Sequence, residues 1–170
     1  MNIFEVMLQG MLMQERYNAY IEAEEREHQS AEKLGLKECV RCGLCCLRRP
    51  CIPLPSEMKS IADFLGLEVE ELAKKYTTVD KTRGADYFLR WIKAGQEDIA
   101  GEFMPWERTY DEGYCVFYSE EEKICRIYPV RPADARMQNC WEELDQEAVS
   151  ATFNAWNEGK VRRFLPNFED

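Results

Sequence analysis

Five cysteines fall within thirteen residues: Cys39, Cys42, Cys45, Cys46 and Cys51, beginning with the run Cys39-Val-Arg-Cys42-Gly-Leu-Cys45-Cys46. A loop so dense in sulfur supplies little core of its own. It has to be held by cross-links, by a metal, or by the elements around it. The spacing lets several thiolates point at one centre, so the first expectation is a metal or iron–sulfur site. Cys115, Cys125 and Cys140 lie far along the chain, and a compact site needs the fold to bring them back.

Compartment decides between metal and disulfide. The start, Met1-Asn-Ile-Phe-Glu-Val, lacks the basic region of a secretory signal, and no apolar run of about 18 residues follows. The expectation is a cytoplasmic chain with reduced thiols, where clustered cysteines more often bind metal than pair with one another. With 32 acidic against 22 basic residues the formal net charge is −10. That argues against a nucleic-acid backbone and against an anionic membrane surface, and permits a basic protein partner.

The 170 residues suffice for one core plus a helical arm. Residues 3–33 read as one long helix, with Phe4, Met7, Leu8, Met11, Leu12, Tyr17, Tyr20 and Ile21 near helical spacing and Gly35 as its stop. Its Met-rich first half is expected to pack on the core, docking on another protein being the alternative. His28 falls on a charged stretch and reads as a surface residue. After the cysteine loop, Ser56 is expected to cap a short helix with Met58, Ile61, Ala62 and Leu65 on one face and Gly66 at its end. A second helix carries Val69, Leu72, Ala73 and Tyr76. Between residues 77 and 113 the pattern is weak: 87–92 fits a strand or a helical turn, and 95–113 reads mainly as loop.

Tyr114-Cys-Val-Phe-Tyr118 and Ile124-Cys-Arg-Ile-Tyr128 flank a charged turn and read as a β-hairpin. Pairing centred near Glu120 places Cys115 opposite Cys125, where two thiolates can share one centre. From Ala133 to Glu158 the tail reads as helical, broken at a capping Asp145 and stopped by Gly159. Cys140 falls on its first helix, on the side of Met137, Trp141 and Leu144. The fold class expected is α+β: an N-terminal helical arm over 1–35 and a small cysteine-rich metal-binding domain over 36–170, with a hairpin and several helices.

For the chemistry, Cys39-x2-Cys42-Gly-x-Cys45 resembles the start of a ferredoxin-type loop. Three cysteines so spaced can wrap three corners of a [4Fe–4S] cubane, with a remote cysteine as the fourth ligand. Cys51 beside Pro50, or one of the distal three, can supply it. Zinc competes: it needs four ligands in a tetrahedron, and with one histidine in the chain those would all be cysteine. Adjacent Cys45 and Cys46 diverge, which suits a multinuclear cluster, two centres, or one ligand and one structural thiol. Arg131 and Arg136 can neutralise an anionic centre or form structural ion pairs. No nucleotide-binding loop or nucleophile elbow is present.

The combination Cys39-x2-Cys42-Gly-x-Cys45-Cys46, Ile61-Ala-Asp-Phe-Leu-Gly66, Cys115-x-Phe-Tyr and Cys125-x-Ile-Tyr-x-x-Arg131-Pro132 resembles the YkgJ-type cysteine-cluster family, the zinc- or iron-chelating CxxCxxCC domain also found in flagellin lysine-N-methylases. The resemblance implies that Cys39, Cys42, Cys45, Cys46, Cys51, Cys115 and Cys125 are ligands or candidates. That family usually continues Arg-Pro-x-x-Cys-Arg; here Ala135 stands at the cysteine, and Cys140, five residues on, is the candidate replacement. The functional expectation is an iron–sulfur protein in electron transfer or cluster handling, within a larger complex reached through the N-terminal helix or the acidic surface. The alternatives are a zinc-stabilised accessory module and, less favoured, a methyltransferase component.

Overall fold

The computed structural model describes residues 3–34, 43–48, 51–82, 86–138 and 145–169. Cys39, Cys42, Cys140, the stop at Gly35 and the side chain of His28 lie outside the described residues. Seven α-helices are seen among them: α1 (Ile3–Leu34), α2 (Leu44–Arg48), α3 (Met58–Leu65), α4 (Val69–Tyr76), α5 (Ala133–Met137), α6 (Gln146–Asn154) and α7 (Glu158–Phe164). Two antiparallel hairpins, β1 (Thr77–Lys81) with β2 (Tyr87–Trp91) and β3 (Tyr118–Ser119) with β4 (Ile124–Cys125), complete an α+β fold. None of these helices is long and apolar enough to cross a membrane.

Helices α3 and α4 form where the apolar spacing says they should. Met58, Ile61 and Ala62 of α3 and Leu72 and Ala73 of α4 are fully buried. Gly66, at φ 69°, adopts the left-handed turn that closes α3. Ser56 does not cap it. The N-cap is Glu57, whose carboxylate is turned elsewhere: it accepts from the N–H of Leu54 at 2.9 Å and of Ala133 at 2.9 Å. In α4, Glu70 and Glu71 occupy the first turn and Lys74 and Lys75 the last, matching the helix dipole.

The chain runs from Tyr76 directly into β1, a strand the weak sequence pattern over 77–113 left unread. Thr77, Thr78 and Val79 are buried because β1 is flanked on both sides. On one side it pairs with β2 in the register Thr77↔Trp91 to Lys81↔Tyr87. On the other, Val79 exchanges hydrogen bonds with Glu102 (2.9 Å) and Met104 (2.7 Å). A half-buried ion pair, Arg90 to Asp80 at 2.8 Å, ties the hairpin. The β2 reading of 87–92 is thereby settled as strand.

The core lies between this sheet and the helices. Phe117 meets Trp91 nearly edge-on at 4.9 Å, and Phe88 meets Phe153 likewise at 4.8 Å. The tail differs from the expected two helices. Asp145 caps α6 as read, accepting from Glu147 and Ala148. Gly159 does not stop a helix; it sits in the first turn of α7, which Asn157 starts by capping Lys160 at 2.8 Å.

The apolar first half of the N-terminal helix does not enter the core. Phe4, Met7, Leu8, Met11 and Leu12 are all exposed, against the expectation that they pack inward. Among the described side chains of α1, Arg16 donates to the carbonyl of Glu107 and Tyr17 lies 6.1 Å from Tyr110, both in the turn near residues 106–110. The apolar half projects beyond that contact.

Candidate metal centre

Backbone hydrogen bonds tie three cysteine-bearing segments to one frame. The N–H of Cys115 donates to the carbonyl of Cys46 at 2.7 Å, joining the proximal loop to the distal half of the chain. The N–H of Trp91 donates to the carbonyl of Cys51 at 3.1 Å. Just beyond β2, Lys93 bridges Cys115, with Val116 N–H on Ile92 and Ala94 N–H on Tyr114. Cys51 and Cys115 are therefore anchored to the same strand and its extension.

The segment after Cys51 is pinned independently. Ile52 N–H donates to the Asp134 carboxylate at 2.8 Å, and the indole N–H of Trp156 donates to the Pro53 carbonyl at 2.8 Å. Asp134, Trp156 and Ile52 are each at most 4% exposed, so these bonds are not traded for water. The peptide between Cys51 and Ile52 is thus held at its oxygen by β2 and at its nitrogen by α5.

The distal hairpin has a different register from the one expected. Tyr118 pairs with Cys125 and Ser119 with Ile124; Cys115 is not opposite Cys125. The reason is local. Residues 115–118 form a tight turn, Tyr118 N–H to Cys115 carbonyl at 2.8 Å, which takes Cys115 out of the strand. The four-residue loop 120–123, with Lys123 in the left-handed region at φ 54°, then closes the short ladder.

Each distal cysteine instead heads its own small knuckle. The backbone N–H of Phe117 donates to the Cys115 sulfur, and that of Ile127 donates to the Cys125 sulfur. Both donors are two residues on, and both Phe117 and Ile127 are buried. The core grips the apolar residue and so aims the amide at the sulfur. Such N–H···S bonds favour thiolate over thiol. The repeated sequence Cys-x-apolar-Tyr, Cys115-Val-Phe-Tyr118 and Cys125-Arg-Ile-Tyr128, was the available signal for this, and the hairpin reading passed over it.

Gly43 links the proximal loop to the hairpin. It is buried, at φ 82°, and an added Cβ would stand 2.5 Å from the ring and hydroxyl of Tyr118. The residue between Cys42 and Cys45 is thus packed directly on the residue paired with Cys125. Nothing in the spacing of the cysteine loop points to this contact.

The thiols feel one another. The Cys46 thiol is pushed far up, first by a hydrogen bond with Cys45, then by burial, then by Cys45, Cys115 and Cys51 as charges. Burial pushes Cys115 up to about 12, with Cys125 and Cys45 adding to it against the Phe117 amide. Burial also raises Cys125, opposed by the Ile127 amide and by Arg131, with Cys45 raising it further. Without a cation, Cys46, Cys115 and Cys125 are held as thiols; a cation is what allows neighbouring sulfurs to ionise together. No disulfide joins Cys45, Cys46, Cys51, Cys115 and Cys125. Among the described residues no three Cys, His, Asp or Glu side chains already form a metal-holding group. The donor chemistry nevertheless suits a thiophilic ion or cluster, since the gathered donors are sulfur and carry amide N–H support. Of the two arginines, Arg131 is the one beside Cys125 and stacks on Tyr128 at 4.1 Å. Arg136 is a structural ion pair with Glu57 at 3.3 Å.

Comparison with known proteins bears on the same residues. A protein of Methanocaldococcus jannaschii, "Uncharacterized protein MJ0661", is 25% identical over 118 residues, covering 69% of this chain and 52% of its own length. The chain therefore spans about half of that relative. No solved structure matches. The CxxCxxCC model, described as "Putative zinc- or iron-chelating domain", matches residues 38–157. That stretch runs from the proximal loop through both distal knuckles and covers more than half the chain: this protein belongs to the CxxCxxCC family.

Proposed function

We propose that the gathered cysteines hold an iron–sulfur centre, of the [4Fe–4S] kind, and that the protein serves in electron transfer or cluster handling within a larger complex in the cytoplasm. The observation that carries this reading is the pair of knuckles. Cys115 and Cys125 each receive an amide hydrogen bond from two residues on, and Cys115 is bonded through its backbone to the proximal loop at Cys46. Amide donors to sulfur stabilise an electron-rich thiolate centre and tune its potential. In this arrangement Cys46, Cys51 and Cys115 provide sulfur from a rigid frame, Cys125 provides it from a shorter arm, and Arg131 offsets negative charge. Cys39, Cys42, Cys45 and Cys140 complete the proposed donor set. A bound cluster would supply one-electron chemistry.

The same knuckles favour a second reading, a four-thiolate zinc site that staples an accessory module together. Anoxic purification separates the two. The iron–sulfur reading expects a brown protein with iron and acid-labile sulfide; a colourless protein with stoichiometric zinc refutes it. Chelation of zinc would then unfold the domain without any redox signal.

A further inference from the structure

We propose that the groove where α3, α4 and α7 meet binds a small organic oxyanion, a carboxylate or phosphate monoester carried on an apolar body. The groove departs from the rest of the chain in charge. The sequence holds 32 acidic against 22 basic residues, yet Lys59, Lys160 and Arg163 line this groove and no acidic side chain does. Helical spacing accounts for part of the lining. In α7, Lys160, Arg163 and Phe164 fall three and four residues apart and share one face, while Val161 and Leu165 turn into the core. The remaining wall comes from Pro55 and Ser56, which lead into α3, and from Val69, which opens α4.

The cations are not equivalent. Lys59 is held by both oxygens of Asp63, at 2.8 and 2.7 Å, and Lys160 donates to the carbonyl of Ala155. Arg162, the neighbouring cation of α7, is tied to Glu158 at 2.9 Å and stacks on Phe168. Arg163 has no acceptor among the described residues. Ser56, which does not cap α3, likewise keeps an uncommitted hydroxyl. An unpaired guanidinium presents a planar fork that takes two oxygens of a carboxylate or phosphate, and the ammonium of Lys160 adds charge beside it.

Size and walls define the rest of the occupant. The groove encloses about 480 Å³, within the roughly 300–1,000 Å³ of small-molecule pockets and more than a single inorganic ion fills. Pro55, Val69 and Phe164 supply apolar wall, and Phe164 is backed by the Trp156 ring, edge-on at 5.6 Å. The acid group therefore pairs with Arg163 while the apolar body lies against Phe164. Three cations on a chain of net charge −10 do not make a track for a nucleic-acid backbone.

The test is isothermal titration of the full chain, with its metal, using four probes: phenyl phosphate, phenylacetate, inorganic phosphate and benzyl alcohol. At least one of the two organic acids should bind saturably at one site per chain, about tenfold or more tighter than inorganic phosphate, and the tighter of the two identifies the oxyanion. Benzyl alcohol, which lacks the charge, should not bind. Arg163→Gln should weaken the organic acid about tenfold or more, as loss of a charge-assisted hydrogen bond does, and Ser56→Ala should weaken it less. Both residues are exposed, so circular dichroism and metal content should match the native chain, which keeps the outcome separate from that of the proposed metal centre. No saturable binding of either acid, inorganic phosphate binding as tightly as phenyl phosphate, benzyl alcohol binding as tightly as the acids, or native affinity in Arg163→Gln overturns the proposal.

Discussion

Gly43→Ala puts the junction between the two halves of the site under strain in two separable ways. At φ 82° an alanine pays the left-handed penalty, about 1–2 kcal/mol. Its Cβ would also stand 2.5 Å from the Tyr118 ring, well inside contact distance. Tyr118 has little room to yield, because it is paired with Cys125 and lies 4.9 Å from Tyr114, tilted by 33°. Overpacking of that kind adds about 1–3 kcal/mol. The sum, about 2–5 kcal/mol, is a large share of the ~5–15 kcal/mol that holds a domain together. Denaturant unfolding of the metal-free chain measures it, and metal competition shows whether affinity falls in step, about tenfold per 1.4 kcal/mol. Repeating Gly43→Ala in a Tyr118→Ala background isolates the contact: the cost should drop to the backbone part alone. A Gly43→Ala chain as stable as the native one, or an equal cost with and without the Tyr118 ring, refutes the packing argument.

Other perturbations read the frame around the site. Asp134→Ala removes the acceptor of the Ile52 N–H at a 1%-exposed position and should lower stability by about 1–3 kcal/mol; an unchanged unfolding midpoint would show that the bond does not position Cys51. Asp145→Ala removes the cap of α6 and should cost about 1 kcal/mol, read as an earlier thermal transition. The raised thiols give the metal-free chain a pH dependence of definite sign. Cys115 holds its proton more tightly folded, to about 12, than at its ordinary 9.0, so this stabilisation is complete below pH 9.0 and is lost as pH rises through about 12, of the order of 4 kcal/mol in all. Cys115→Ala should flatten that alkaline loss in pH-dependent unfolding, and an unaltered slope would exclude the buried thiol as its source.

What could be read in the sequence was whatever local chemistry dictates. The faces of α3 and α4, the left-handed Gly66 and the Asp145 cap each follow from a few neighbouring residues. What was misread depended on tertiary partners. Thr77-Thr-Val is buried strand only because β2 and the 102–104 segment flank it. The apolar row of α1 has the spacing of a core face, yet among the described side chains the contacts of Arg16 and Tyr17 with the domain are on the other side, a choice its own sequence does not encode. The cysteine loop was legible as a site, whereas the Tyr118 ring on Gly43 and the Asp134 acceptor on Ile52, 75 and 82 residues away along the chain, were not.

The corrected hairpin register changes what the distal cysteines are. Set opposite each other, Cys115 and Cys125 would act as one unit, and removing either would be equivalent. In the structure they are separate arms with different anchors. Cys115 is buried, its backbone bonded to Cys46 and bridged to Lys93, so it belongs to the frame whether or not a metal is present. Cys125 is half-buried at the end of a two-residue strand, near Arg131. Cys115→Ser places a hydroxyl in an apolar setting and should cost the metal-free chain about 1–3 kcal/mol as well as lowering metal content. Cys125→Ser should lower metal content while leaving metal-free stability within about 0.5 kcal/mol. Equal losses of metal-free stability from the two substitutions would restore the paired view and remove the case for independent knuckles.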